Sequence, residues 1–174
     1  MTSSLLAETQ LLRQRLADGP SCGPLIEAIV HRKRVIPPSR SSHVRGWHPV
    51  RKNHPAVPFE SLLECRVISA LAGYQEFLGI LSQPLTVSYW YRSRLHRYTP
   101  DFWVSFNEVP PDLEAIGFAR ETYLEVKPLL RALSNEDDLH RRLSCLQVAT
   151  GKAVVLLTEL DVKQLMRKEV AYAG

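Results

Sequence analysis

Three side chains in the middle of this sequence are suited to hydrolytic chemistry: Asp101, Glu125 and Lys127. They stand in two short runs, residues 97–106 (RYTPDFWVSF) and 121–128 (ETYLEVKP). Two carboxylates offer hard oxygen ligands to Mg²⁺, with Mn²⁺ as a substitute; Mg²⁺ prefers oxygen and keeps several of its waters. A lysine beside such an ion can orient a water or offset charge building on phosphate oxygens. The set suits attack of water on a phosphodiester. Glu125-Val126-Lys127 taken alone has a plainer reading as a surface ion pair. Pro100-Asp101 opening one run and Glu125-x-Lys127 inside the next favours a site.

The elements that must position these groups are strands. Phe102, Val104 and Phe106 alternate with Trp103 and Ser105, which predicts a strand over residues 95–106. Residues 122–126 have the same character and end before Pro128, which cannot continue a ladder. Side chains two apart on a strand share a face, so Glu125 and Lys127 project together while Val126 enters a core. Pairing of the two strands brings one Asp, one Glu and one Lys to a sheet end.

Around them the pattern predicts an amphipathic helix over 3–17 and a short helical turn over 24–30. A helix starts at Phe59 and stops at Gly73, with Glu60 and Glu64 one turn apart near its start, where the helix dipole also favours negative charge. Residues 85–91 read as a strand, Ser93-Arg94 as a turn and 107–119 as a connection. Ser134 and Asn135 cap a helix to about Thr150. A buried strand over 153–157 and a final helix over 159–171 follow. The order is helix, three strands, helix, strand, helix, an α/β sheet domain with helices on its faces.

Composition sets the limits. With 174 residues, 45% of them hydrophobic, the chain can bury one ordinary core. We expect an N-terminal helix and arm over 1–58 and one domain over 59–174. Cys22, Cys65 and Cys145 are odd in number and form no CxxC, which argues against a disulfide framework or structural zinc and fits a reducing compartment. No apolar run approaches a membrane span and no signal pattern opens the chain, so the expectation is a soluble cytoplasmic protein with no membrane partner.

The net charge of +4 permits a nucleic-acid partner, and its distribution is more telling. Between Glu27 and Glu60 there is no acidic residue, while Arg32, Lys33, Arg34, Arg40, Arg45, Arg51 and Lys52 fall there among prolines that keep the chain extended. Trp47 sits at the centre of the stretch. A segment of this kind is either a solvated loop or a phosphate-tracking arm, and its length without an acid favours DNA contact. His31, His43, His48 and His54 match no compact metal-ligand spacing. Arg92, Arg94 and Arg97 flank the strands, as backbone contacts to DNA or as solvated surface.

The ordered set Ser61-Leu62-Leu63-Glu64, Gln83-Pro84, Tyr98-Thr99-Pro100-Asp101-Phe102 and Glu125-Val126-Lys127-Pro128 resembles the PD-(D/E)xK nuclease superfamily, and within it the N-terminal nuclease domain of TnsA-type transposase endonuclease subunits. The resemblance covers roughly residues 45–160. It implies a restriction-endonuclease-like core of helix, three antiparallel strands, helix and strand, with a C-terminal helix. It also implies that Glu64, Asp101 and Glu125 are the acidic site residues, that the backbone carbonyl of Val126 adds a metal ligand and that Lys127 is the catalytic lysine. Glu60 rivals Glu64, which better fits the Ser-x-x-Glu spacing. The implied activity is Mg²⁺-dependent cleavage at the 5′ ends of a transposable element in a bacterial, nucleoid-associated setting. The implied partners are the transposon-end DNA, a TnsB-type transposase subunit and a regulatory ATPase of the TnsC type. Longer proteins of this type carry a further C-terminal domain. Here 47 residues follow Lys127, so the contacts of that domain are expected from elsewhere, such as the basic arm. Two other readings remain open: a free-standing restriction- or repair-type nuclease, and a non-catalytic DNA-binding assembly subunit.

Overall fold

A computed structural model describes residues 2–17, 25–30 and 44–172 of the chain. Helix α1 (Thr2–Ala17) is followed by strand β1 (Leu25–Val30) and a small hairpin of β2 (Gly46–His48) and β3 (Val57–Phe59). Helix α2 (Leu62–Ala72) leads to β4 (Phe77–Ser82), and a second hairpin, β5 (Thr86–Tyr91) and β6 (Arg94–Tyr98), precedes β7 (Phe102–Phe106). A short turn of helix, α3 (Pro111–Glu114), connects to β8 (Glu121–Val126). Helices α4 (Leu129–Ser134) and α5 (Glu136–Thr150), strand β9 (Ala153–Leu157) and helix α6 (Glu159–Tyr172) complete the order.

The protein is mixed α/β. Its central sheet runs β4-β7-β8-β9, with the first three strands antiparallel and β9 parallel to β8. A parallel pair needs a long crossover, here supplied by α4 and α5. A second sheet has the antiparallel order β1-β5-β6.

Two apolar clusters hold the layers together. In one, Val67, Ile68 and Leu71 of α2 and Val162 and Leu165 of α6 meet Phe102, Val104, Phe106, Leu124 and Val126 of the central sheet. In the other, Leu139, Leu143 and Leu146 of α5 and Leu12 of α1 meet Val87, Tyr89 and Tyr98 of the hairpin sheet and Tyr123 and Leu156 of the central one. Strand β8 therefore sends Leu124 and Val126 into one core and Tyr123 into the other, which is why it is apolar on both faces. Each such side chain contributes about 1.5–3 kcal/mol on burial. Helix α1 belongs to this body: Arg13 pairs with the buried Asp161 at 2.6 Å and donates to the Leu156 carbonyl at 3.1 Å.

Several predicted elements differ. Residues 25–30 form a strand rather than a helical turn, because β5 offers Ile29 and Val30 a ladder partner. Phe59 ends β3 instead of opening a helix; Ser61, with extended backbone, is the N-cap and holds the N–H of Glu64 at 3.1 Å. Residues 44–58 of the expected arm fold back with Phe59 as a hairpin, with Trp47 opposite Pro58 and 66% exposed. Residues 32–34 and 40 lie outside the described residues.

The predicted strand over 95–106 is two strands in different sheets. Pro100 has no N–H to give a ladder, so the chain leaves β6 at Tyr98 and enters β7 at Phe102. Its partner β4, with Gly79 at a register shift, carried too little alternation to be read. The turn of the β5–β6 hairpin is Arg92-Ser93, with left-handed φ of 47° and 59°, not Ser93-Arg94.

Candidate active site

The break at Pro100 places Asp101. Phe102 pairs with Leu124, so the antiparallel register sets Asp101 across from Glu125. The Asp101 N–H donates to the Leu124 carbonyl at 3.0 Å, and Oδ2 of Asp101 accepts the Val126 N–H at 2.7 Å. Oδ1 accepts no hydrogen bond from the described residues. Glu125, only 5% exposed, accepts from Lys127 Nζ at 2.6 Å through Oε1 and from the Tyr98 hydroxyl at 2.8 Å through Oε2. Val126 points the other way, into the core. One end of the central sheet thus gathers Asp101, Glu125 and Lys127.

Glu64 approaches from the first turn of α2. Its Oε1 accepts from the Ser61 hydroxyl at 2.9 Å and its Oε2 from the Glu60 N–H at 2.8 Å, a variant of the capping box. The cap fixes a carboxylate close enough to Asp101 and Glu125 to feel their charge. Burial is the first cause that pushes Glu64 above the ordinary carboxylate range, and the negative charges of Glu60 and Glu125 push the same way. Asp101 is held well above its ordinary value, first by burial and then by Glu125 and Glu64, against the pull of the Val126 N–H and Lys127. Tyr98 is raised by burial, then by Glu125 and Asp101. Glu64, Asp101 and Glu125 therefore lie within electrostatic reach of one another.

Glu60 stands at the rim. Its carboxylate lies 3.9 Å from Arg45 and accepts from Gln83 Nε2 at 3.3 Å. Gln83 has a left-handed φ of 48° and gives its backbone N–H to the Asp101 carbonyl at 2.8 Å. Its side-chain oxygen is buried without a hydrogen-bond partner among the described residues. A strained backbone and an unsatisfied acceptor concentrate at functional sites. Gln83 and Tyr98 adjoin the candidate site; both stand in the ordered set that carries the resemblance, which assigns them no role. The signals in the sequence are slight: Gln83 precedes a proline, and Tyr98 lies three residues before Asp101.

The donor set fits a hard divalent cation: carboxylate oxygens in mutual repulsion, one of them, Oδ1 of Asp101, with no hydrogen bond from the described residues. The fit is in chemistry more than in present geometry. Among the described residues no three His, Cys, Asp or Glu side chains are gathered as a ready-made metal shell. Glu125 faces Tyr98 and Lys127, and Glu64 faces its own cap.

The basic residues separate by location. The Arg51 guanidinium donates to the carbonyls of Ala72, the last residue of α2, and of Tyr74 and Phe77 in the turn into β4, so it ties that connection together. Lys52 is exposed, and so are Arg92, Arg94 and Arg97 on the hairpin. Arg32, Lys33 and Arg34 lie outside the described residues. A shallow groove of about 620 Å³ between Leu78, Trp103, Arg120 and Lys152 shares no residue with the carboxylate cluster.

No helix among the described residues is long and apolar enough to cross a membrane. No protein-family profile matches this chain, and no curated protein matches its sequence.

Proposed function

We infer that this chain is a metal-dependent DNA endonuclease of the PD-(D/E)xK type, the cleaving subunit of a heteromeric transposase of the TnsA kind. The observation that carries the reading is the meeting of Asp101, Glu125 and Lys127 at one end of the central sheet, with Glu64 of α2 close enough to feel the charge of the two carboxylates. The succession α2-β4-β7-β8-α5-β9 supports it, since a helix, three antiparallel strands, a crossover helix and a parallel strand make up the restriction-endonuclease-like core. The β5–β6 hairpin is then an insertion between the first two core strands.

Asp101, Glu125 and the Val126 carbonyl would hold Mg²⁺, with Glu64 sharing it directly or through water. Bound there, the ion supplies Lewis acidity to the scissile phosphate and lowers the pKa of the attacking water. Lys127, fixed by Glu125, orients that water or stabilises charge on the phosphate oxygens. Tyr98 fixes the other oxygen of Glu125 and keeps that carboxylate in one orientation. Burial behind Tyr98 and Val126 excludes bulk water and strengthens each of these interactions.

The test is cleavage of a DNA carrying transposon ends in Mg²⁺, with the purified protein alone and with a TnsB-type transposase and a TnsC-type ATPase. Cleavage at the 5′ ends only in the complete mixture, abolished in Lys127→Ala, is the expected result. Robust nicking by the isolated chain points instead to a free-standing nuclease. DNA binding with no cutting in any mixture leaves a non-catalytic assembly subunit.

A further inference from the structure

We propose that the hairpin of β5 and β6 is the arm by which this protein grips DNA, with Arg92, Arg94 and Arg97 on phosphates and Trp90 against a sugar or base. The choice of DNA as the polyanion rests on the nuclease reading above; the surface itself is defined by its own charges. Between Glu76 and Asp101 the chain has no acidic residue, yet this stretch holds three arginines and His96. All three arginines are exposed, and none pairs with a carboxylate among the described residues. The Arg92 guanidinium lies 5.2 Å over the Tyr91 ring, which lends its stem a platform without neutralising it.

The register sorts these side chains. Trp90 stands opposite Leu95, each 43% exposed, and Ser88 stands opposite Arg97, so Trp90, Leu95 and Arg97 share the outer face. The inner face carries Val87, Tyr89 and Tyr98 into the core. The left-handed turn at Arg92-Ser93 puts Arg92 and Arg94 at the tip. An exposed Trp–Leu pair alone would be ordinary surface. Arg97 on the same face, with Arg92 and Arg94 unneutralised at the tip, gives it a polyanionic partner, and an aromatic among basic residues is the usual arrangement for contact with nucleic acid.

Position ties the arm to the site. At about 3.3 Å per residue, Arg97 and Arg94 lie roughly 3 and 13 Å along β6 from Tyr98, a span comparable with a DNA groove. Tyr98 roots the strand on Glu125. A duplex held along the hairpin therefore runs toward the carboxylate cluster.

The experiment is binding of a short labelled duplex in EDTA, followed by fluorescence anisotropy over a salt series, so that cleavage plays no part. The triple variant Arg92→Gln, Arg94→Gln, Arg97→Gln is expected to lower the slope of log Kd against log salt by about 0.9 for each phosphate that the hairpin no longer neutralises, and to weaken binding by about 10–100-fold at moderate salt. The matching triple Arg→Lys variant restores most of the slope, which a folding defect would not allow. Trp90→Ala weakens binding and leaves the slope unchanged. A wild-type slope in the triple Gln variant overturns the hairpin while leaving the nuclease reading intact. Absence of any duplex binding by the wild type overturns both. Tighter binding to phosphatidylserine vesicles than to duplex, abolished in the triple Gln variant, overturns DNA as the partner of this surface.

Discussion

The hydroxyl of Tyr98 donates a 2.8 Å hydrogen bond to Oε2 of Glu125, joining the hairpin sheet to the central sheet at a buried carboxylate. With Lys127 on Oε1, both oxygens of Glu125 are engaged by side chains from two different strands. Tyr98→Phe removes one donor and leaves a buried charged acceptor short of a partner. The expected cost is about 1–3 kcal/mol, read by denaturant unfolding. In the double variant with Glu125→Gln the two effects should fall short of additive, since the residues share one interaction. A Tyr98→Phe protein as stable as wild type would make the hydroxyl incidental to the site.

Asp101→Ala, Glu125→Ala and Lys127→Ala should each abolish cleavage, but for different reasons. On the proposed function either carboxylate change would remove a cation ligand, whereas Lys127 cannot ligate a cation and would act on the transition state. Thermal unfolding with and without Mn²⁺ separates them. The ion should stabilise wild type and Lys127→Ala in proportion to occupancy, and neither carboxylate variant. Equal stabilisation of all four proteins would place the ion elsewhere.

Metal-free stability should depend on pH through Asp101. Burial, Glu125 and Glu64 raise its folded value above the unfolded one, so the fold binds that proton more tightly. The stabilising contribution is fully present below the ordinary Asp range and is lost as pH rises through the raised folded value. The wild type carries the whole penalty only above that raised value. Asp101→Asn, which can still accept the Val126 N–H, should melt higher there, by roughly 2–4 °C for each kcal/mol of relieved penalty. The advantage should shrink as pH falls and vanish below the ordinary range. A melting difference that does not change with pH would assign the effect to packing.

Arg51 offers a contrast with the hairpin arginines. Its guanidinium serves the Ala72 carbonyl at the end of α2, Tyr74 in the turn that follows and Phe77 at the start of β4, so Arg51→Ala should cost about 1–3 kcal/mol of stability. The salt slope of duplex binding should stay as in wild type. A lowered slope in this variant, with stability unchanged, would move Arg51 to the DNA-contacting set.

Local pattern alone was enough for much of the scaffold. The alternation of Phe102, Val104 and Phe106, the apolar run of β9 and the helical stripes of α1, α5 and α6 are periodicities that one element imposes on its own residues, so they were legible without a partner. So was the placement of Glu125 and Lys127 on one side of a strand with Val126 on the other, because the strand period is two. Ser-x-x-Glu at the start of α2 is a local capping pattern, but the apolar spacing opened the helix at Phe59, three residues before α2 begins at Leu62.

What depended on distant contacts was decided only by the tertiary structure. Residues 25–30 are a strand because β5 lies beside them, and an isolated β-branched run does not declare its partner. The split of residues 95–106 between two sheets followed from the missing N–H of Pro100, but which sheets receive the halves is a question of packing. β4 became visible only against β7. The approach of Asp101 to Glu125 required the register of β7 on β8, and the capture of Glu125 by Tyr98 required two sheets to meet. Arg51 was one positive charge among several in the sequence; only the fold brought it to the carbonyls of Ala72, Tyr74 and Phe77 between α2 and β4.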